Sequence, residues 1–190
     1  MSHWMRRTLV GVTAAATAAT LAACTGSSTQ KATIGAVVVS VPQGWKVVDD
    51  RPQGWAWAAQ DVPKEGASTQ QLAIDGRLAG VTTPELGLGL LTSGAQIGGF
   101  PAFTQIGPVT KVSVSGAKSA QLLRFRYRID RGAIYHGAWL VACRADRDGC
   151  GALQLTSVKE IDDEQARSLA RSVSLTEPPT DDSPVQARAS

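Results

Sequence analysis

LLRFRYRIDRGAIYHGAWLVACRADRDGCGALQLTSV, residues 122–158, contains three apolar runs separated by two polar turns. Across residues 122–129 the alternation is strict. Leu123, Phe125, Tyr127 and Ile129 fall on one face of a strand, and Arg124, Arg126 and Arg128 on the other. Asp130-Arg131-Gly132 supplies a turn, residues 134–143 form an apolar and aromatic strand, and residues 151–158 form another. Cys143 and Cys150 flank a polar loop whose Asp148-Gly149 is a turn signal. Two strands joined there set the cysteines opposite each other at disulfide spacing. With that pairing Val141 faces Ala152, Trp139 faces Gln154, and Gly137 faces Thr156. Ala138, Leu140, Leu153 and Leu155 then share the expected core side, with Trp139 on the opposite face and His136 at the core margin. A metal pair or a redox dithiol suits the two cysteines less well, because the spacing is not CxxC and no other soft ligand lies near.

Residues 111–115 also alternate before Gly116, so four successive strands are expected, an antiparallel meander with one wet and one dry face. After it, Asp162 and Gln165 form a capping box, with Ile161 and Ala166 as a hydrophobic staple. Ala166, Leu169, Ala170 and Val173 make the apolar stripe of a terminal helix lying against the sheet. In the first half, residues 36–41 form a β-branched run ending at Pro42-Gln43-Gly44-Trp45, and a short strand follows through Val48. Trp55 and Trp57 alternate with small residues, and Leu72-Ala73-Ile74 ends at Asp75-Gly76. The segment 84–99 has Pro84 to start a helical turn or two, but Gly87, Gly89, Gly94 and Gly98 argue for a loop of low intrinsic order, with no legible role. The fold class expected is therefore α+β, an antiparallel meander packed against a C-terminal helix.

The N-terminus carries the address. Arg6 and Arg7 precede an apolar stretch at residues 8–23, shorter than the roughly 20 residues of a bilayer-spanning helix, so it has the form of a secretory signal. It ends in Leu21-Ala22-Ala23-Cys24, which resembles the lipobox of bacterial lipoproteins. That resemblance implies a diacylglyceryl thioether on Cys24 and an acyl chain such as palmitate on its amine, enough apolar chain for stable anchoring. With Cys24 lipidated, Cys143 and Cys150 remain as an even pair outside the reducing cytosol. The expected organisation is a signal peptide at 1–23, a lipidated N-terminus and tether at 24–31, one domain at 32–176 and a disordered tail at 177–190. The location expected is the extracytoplasmic face of the cell membrane.

VSVPQGW (39–45), GGFPAF (98–103) and SGAKSAQLLRFRY (115–127) occur in this order, followed by the Gly-rich aromatic strand and the capped helix. The chain thereby resembles actinobacterial lipoproteins of the PsbP-like fold, the LpqN-type lipoproteins among them, over residues 34–175. The resemblance implies an antiparallel sheet flanked by helices, and a binding or scaffold module without catalytic residues. It carries over no active site and no cofactor.

The residues themselves agree with that emphasis. A net charge of +3 over 190 residues gives no basic patch for nucleic acid, and two His leave little for a histidine metal site. Ser115-Gly116-Ala117-Lys118 matches the SxxK nucleophile motif, but the Ser ends a strand instead of starting a helix, and no SDN or KTG follows. Gly87-Leu88-Gly89 lacks the third glycine of a dinucleotide loop. Two surfaces stand out as binding candidates. Arg124, Arg126, Arg128 and Arg131 form a strip for anionic polymers or lipid headgroups, or are simply a solvated strand face. Trp45, Trp55 and Trp57 line an apolar pocket, or are core. The expected protein is a non-catalytic envelope module whose partners are the membrane and an envelope protein, cell-wall polymer or small apolar ligand. The alternative is an envelope hydrolase whose site converges only in three dimensions.

Overall fold

The expected hairpin forms in the expected register. In the computed structural model, which describes residues 29–49, 51–52, 54–63, 65–129, 132–145 and 149–177, Cys143 and Cys150 are joined by a disulfide. Val141 pairs with Ala152, Trp139 with Gln154, and Gly137 with Thr156. These belong to β8 (Ile134–Cys143) and β9 (Cys150–Ser157). Upstream lie β3 (Lys46–Val47), β4 (Trp57–Gln60), β5 (Gln70–Leu78), β6 (Thr104–Val112) and β7 (Ser119–Arg128). Together they form a seven-stranded antiparallel sheet in the order β3-β4-β5-β9-β8-β7-β6, so the second-half meander is present. A second sheet of three strands contains β1 (Thr29–Ile34), β2 (Val37–Pro42) and β10 (Val173–Leu175), in the order β1-β2-β10.

The expectation of one wet face fails over most of the large sheet. On one face, Ile74, Leu140 and Leu153 pack against Val37, Val39 and Val41 of the small sheet and Ala166 and Leu169 of α2 (Asp163–Arg171). On the other, Phe125, Trp139, Val141 and Ala152 form a second core with Leu88 of α1 (Pro84–Gly94) and with Phe100 and Phe103. Strands buried on both sides are near-continuously apolar instead of alternating, and Gly137 through Cys143 has that composition. Trp139 is accordingly a core residue, 1% exposed, whose Nε1 donates to Gln154 Oε1 at 2.7 Å. The Trp139 ring also lies over the aromatic stack: Phe125–Trp139 and Phe100–Tyr127 centroids are each 4.2 Å apart. Gly137 makes the stack possible, because a Cβ there would stand 2.2 Å from Phe125 Cζ.

The Gly-rich segment is a helix of three turns, not a loop. Thr83 Oγ1 accepts the Leu86 N–H at 3.3 Å, and Pro84 occupies the first turn, where its missing N–H costs nothing. A Cβ on Gly87 would meet Val141 Cγ1 at 2.8 Å, so this glycine lets the helix backbone approach the sheet. Burial of Leu88 and close packing outweigh the poor intrinsic propensity. One π-helical turn, Ala95–Gly99, follows.

At the termini two boundaries move. Thr29, Gln30 and Lys31, expected in the tether, pair with Pro42, Val41 and Ser40 in β1. The capped helix forms as read, with Asp162 accepting the Gln165 N–H at 2.8 Å, but it is not the last element. Val173, expected on its apolar stripe, starts β10 and pairs with Val39. The signal peptide, Cys24 and the tail beyond Glu177 lie outside the described residues.

Reduction of Cys143–Cys150 is expected to lower stability by about 2.5 kcal/mol, the loop-closure value for a short loop, read as a lower Tm with reductant. Gly137→Val forces a side chain into the Phe125 ring and is expected to cost about 3 kcal/mol in chemical denaturation.

Candidate functional site

Where the small sheet stops short of the ends of β5 and β9, a cleft of ≈ 350 Å³ opens between the two sheets and α2. Its apolar surface comes from Trp45, Leu72, Leu155, Ile161 and Leu169. Ser40, Gln70, Ser157, Gln165 and Ser168 supply hydroxyls and amides, and Lys159 and Glu160 supply the charges. Each wall has a local cause. Trp45 follows the turn through Gly44, whose φ of +89 is left-handed, and its N–H donates to the Pro42 carbonyl at 3.3 Å. Gln30 of β1 donates to the Trp45 carbonyl at 3.3 Å, which ties the turn to the small sheet. Ile161 is held by the cap of α2, and its carbonyl accepts from Arg124 Nη1 at 3.1 Å.

The tryptophan group divides. Trp45 is half-buried on the cleft, Trp57 is buried in the first core, and Trp55 in the second. The alternation of Trp55 with Trp57 misleads because Trp55 precedes β4, in a turn where its N–H donates to Pro52. The three therefore line no common pocket. Trp57 Nε1 is buried without a hydrogen-bond partner among the described residues.

The arginine strip divides as well. Arg124 Nη2 is 2.9 Å from Asp163 Oδ1, and with its bond to Ile161 this guanidinium clamps the N-terminus of α2 onto β7. Arg126 and Arg128, one and two steps further along the strand, are exposed. Arg131 lies outside the described residues.

Three arrangements bear on chemistry. Ser115 and Lys118 sit in a turn, with the Ser115 carbonyl accepting from Leu175 at 2.8 Å and the Lys118 N–H bonded to Cys143 at 2.9 Å. No helix start aligns them. His136 is half-buried on β8, beside Arg126 of β7 and Ser157 of β9, and its Nδ1 is buried with no hydrogen-bond partner among the described residues. Ser68 Oγ donates to Asp61 Oδ1 at 2.6 Å, a hydroxyl–carboxylate pair. The same carboxylate also accepts the Thr69 N–H at 2.7 Å, the Thr69 hydroxyl and the Gln70 N–H at 2.9 Å. Burial alone would raise the Asp61 pKa, but these donors outweigh it and hold it below the usual value. A carboxylate so satisfied is a weak base, and its evident work is to close the β4–β5 connection. Nearby, burial and the neighbouring Tyr135 phenol push the Tyr127 hydroxyl up to about 12. Among the described residues no group of three or more His, Cys, Asp or Glu is placed to hold a metal ion, and no helix is long and apolar enough to cross a membrane.

The fold can be set beside solved structures. The solution structure of cyanobacterial PsbP (CyanoP) from Synechocystis sp. PCC 6803 aligns over 82% of this chain and 99% of its own, with a TM-score of 0.52 and 15% identity. The fold is PsbP-like. The crystal structure of LpqN, involved in cell envelope biogenesis of Mycobacterium tuberculosis, aligns over 74% of this chain and 83% of its own, with a TM-score of 0.48 and 17% identity. No protein-family model matches the sequence, and no curated protein matches it. What the PsbP-like likeness shares is the chain path. The cleft was not legible in sequence, because its walls come from four separated segments. The Trp45 turn is the one local signal of it, since Trp45 lines the cleft.

The depressed Asp61 pKa has a sign that can be tested. Its contribution to stability is fully present above the unfolded carboxylate pKa and is lost as pH falls through the lower folded value. Asp61→Asn is therefore expected to be less stable than the parent at neutral pH, with the difference shrinking in melts below about pH 4.

Proposed function

We propose that this chain is a lipid-anchored, extracytoplasmic, non-catalytic binding module of the cell envelope, and that the cleft beside Trp45 is where it binds. The observation that carries the binding role is the cleft's make-up: an apolar floor of Leu72, Leu155 and Leu169, an indole on one wall, and a rim of hydroxyls and amides. Such a site takes a ligand with an apolar segment and orients it by a few hydrogen bonds. The anchored location rests on the lipobox-like Leu21-Ala22-Ala23-Cys24 and is supported by the oxidised Cys143–Cys150 pair. The non-catalytic reading is supported by Asp61, whose carboxylate is taken up by donors of the β4–β5 connection.

Binding of an anilinonaphthalene sulfonate probe to the full chain tests the cleft. Trp45→Ala is expected to weaken it about tenfold through lost aromatic burial, and Ser168→Trp to abolish it by filling the space. Unchanged titrations in both variants would remove the cleft from consideration. Cys24→Ala is expected to shift the protein from the membrane fraction to the soluble one; a variant that still sediments with membranes would show that the lipid is not the anchor.

A further inference from the structure

The end of the large sheet nearest the start of β1 carries exposed apolar side chains that the cleft does not use. The register puts the last residue of β4, the first of β5, the end of β7, the start of β8 and the end of β9 at this one end. Val62, in the β4–β5 connection, is 49% exposed. Ile129 and Ile134, on either side of the β7–β8 turn, are 38% and 43% exposed, and Val158, just past β9, is 39% exposed. The turn bearing Ile97, 87% exposed, reaches the same end, because Phe100 stacks on Tyr127 and the Pro101 carbonyl accepts the Arg128 N–H at 2.8 Å.

Cations are set among these side chains. Lys46, Arg126, Arg128 and Lys159 are exposed here. Of the described acids at this end, Asp163 is paired with Arg124 and Glu164 with Arg171, Asp61 and Asp162 keep their charge while accepting neutral donors, and Glu65 and Glu160 stand in water. Thr29, the first residue of β1, lines the cleft at this same end. Only residues 25–28 separate it from Cys24, the anchoring position, and the five residue steps between them span at most about 18 Å when fully extended.

We propose that this end of the domain is a membrane-docking surface: Val62, Ile129, Ile134 and Val158 enter the interfacial region of the bilayer while Arg126, Arg128 and Lys159 meet anionic lipid headgroups. The proposal rests on the anchored reading above and adds an orientation to it. Apolar side chains adjoined by Arg128 and Lys159 suit an anionic leaflet, where each surface contact is individually weak. A short tether makes such contacts effective by holding the surface at high local concentration. Docking in this pose also turns the mouth of the cleft toward the lipid.

Hydrogen–deuterium exchange on the full chain, with and without vesicles of phosphatidylglycerol and phosphatidylcholine, tests the pose. The backbone around Val62, Ile129, Ile134 and Val158 is expected to exchange about tenfold more slowly with vesicles, while Gly35 and Thr83 at the opposite end are unchanged. Pure phosphatidylcholine vesicles are expected to protect less. Changing Ile129, Ile134 and Val158 together to Ser is expected to abolish the protection while co-sedimentation is retained. Sedimentation of Cys24→Ala reports on the anchor separately. Exchange at these positions that ignores vesicles would overturn the proposal and leave the surface to a protein partner. Protection centred on Leu86 and Leu90 of α1 would overturn it too, and equal protection by both vesicle types would refute the headgroup contacts.

Discussion

Between Gly137 and Cys143, β8 has protein on both faces, and that double burial constrains everything around it. In a strand of period two, a slip of one residue against β9 would exchange Trp139 with Leu140, sending an indole into the space between the sheets and unstacking it from Phe125. The disulfide closes the β8–β9 hairpin at one end, and the Trp139–Gln154 hydrogen bond matches the same register four residues further in. Two small residues complete the constraint. Gly137 leaves room for Phe125, and Gly151 sits where a Cβ would be 2.3 Å from Val37 Cγ2 of the small sheet. The small sheet and the aromatic stack thus approach β8 and β9 closely only because those two positions carry no side chain.

Much of this is legible in the amino-acid sequence. The polar residues between the two cysteines, the Asp148-Gly149 turn signal (Asp148 lies outside the described residues) and the arginine alternation predict the meander and its pairing, since short-range patterns of turn and period need no tertiary information. The capping box at Asp162 is equally local. What misled was the assignment of one dry face. The aromatic face of β7 and the leucine face of β8 were both apolar, and the register shows them to be opposite faces: Leu123 lies beside Trp139, and Leu122 beside Leu140. Two apolar faces require two covering layers, and α1 is the second. Its glycines hid it, because they serve contact with Val141 and open space on the far side, a distinction propensity cannot make. β10 escaped notice because three residues gain strand geometry only by pairing with Val37, Val38 and Val39.

The site follows the same division. The turn at Pro42–Trp45 is a local feature and was visible. The cleft is a gap between layers, created where the small sheet ends before the large one, and no single segment encodes a gap. The arginines show how a periodic strip is broken by what packs on it. Arg124 is drawn into the α2 clamp, and Arg126 and Arg128, beyond the reach of the helix, stay in water. One strand therefore contributes a structural cation and two surface cations from a single alternating pattern.

The small sheet also has a mechanical meaning. β1 and β10 both run antiparallel to β2, so they point the same way, and the described chain enters beside Pro42 and leaves beside Val37. Tension between an entry point held at one end and a load carried past Leu175 at the other would act along the strands. The hydrogen bonds of both ladders lie across that direction and would be strained together in shear instead of unzipping in turn. A domain tied down at its beginning and tugged from its end would resist through its smallest sheet.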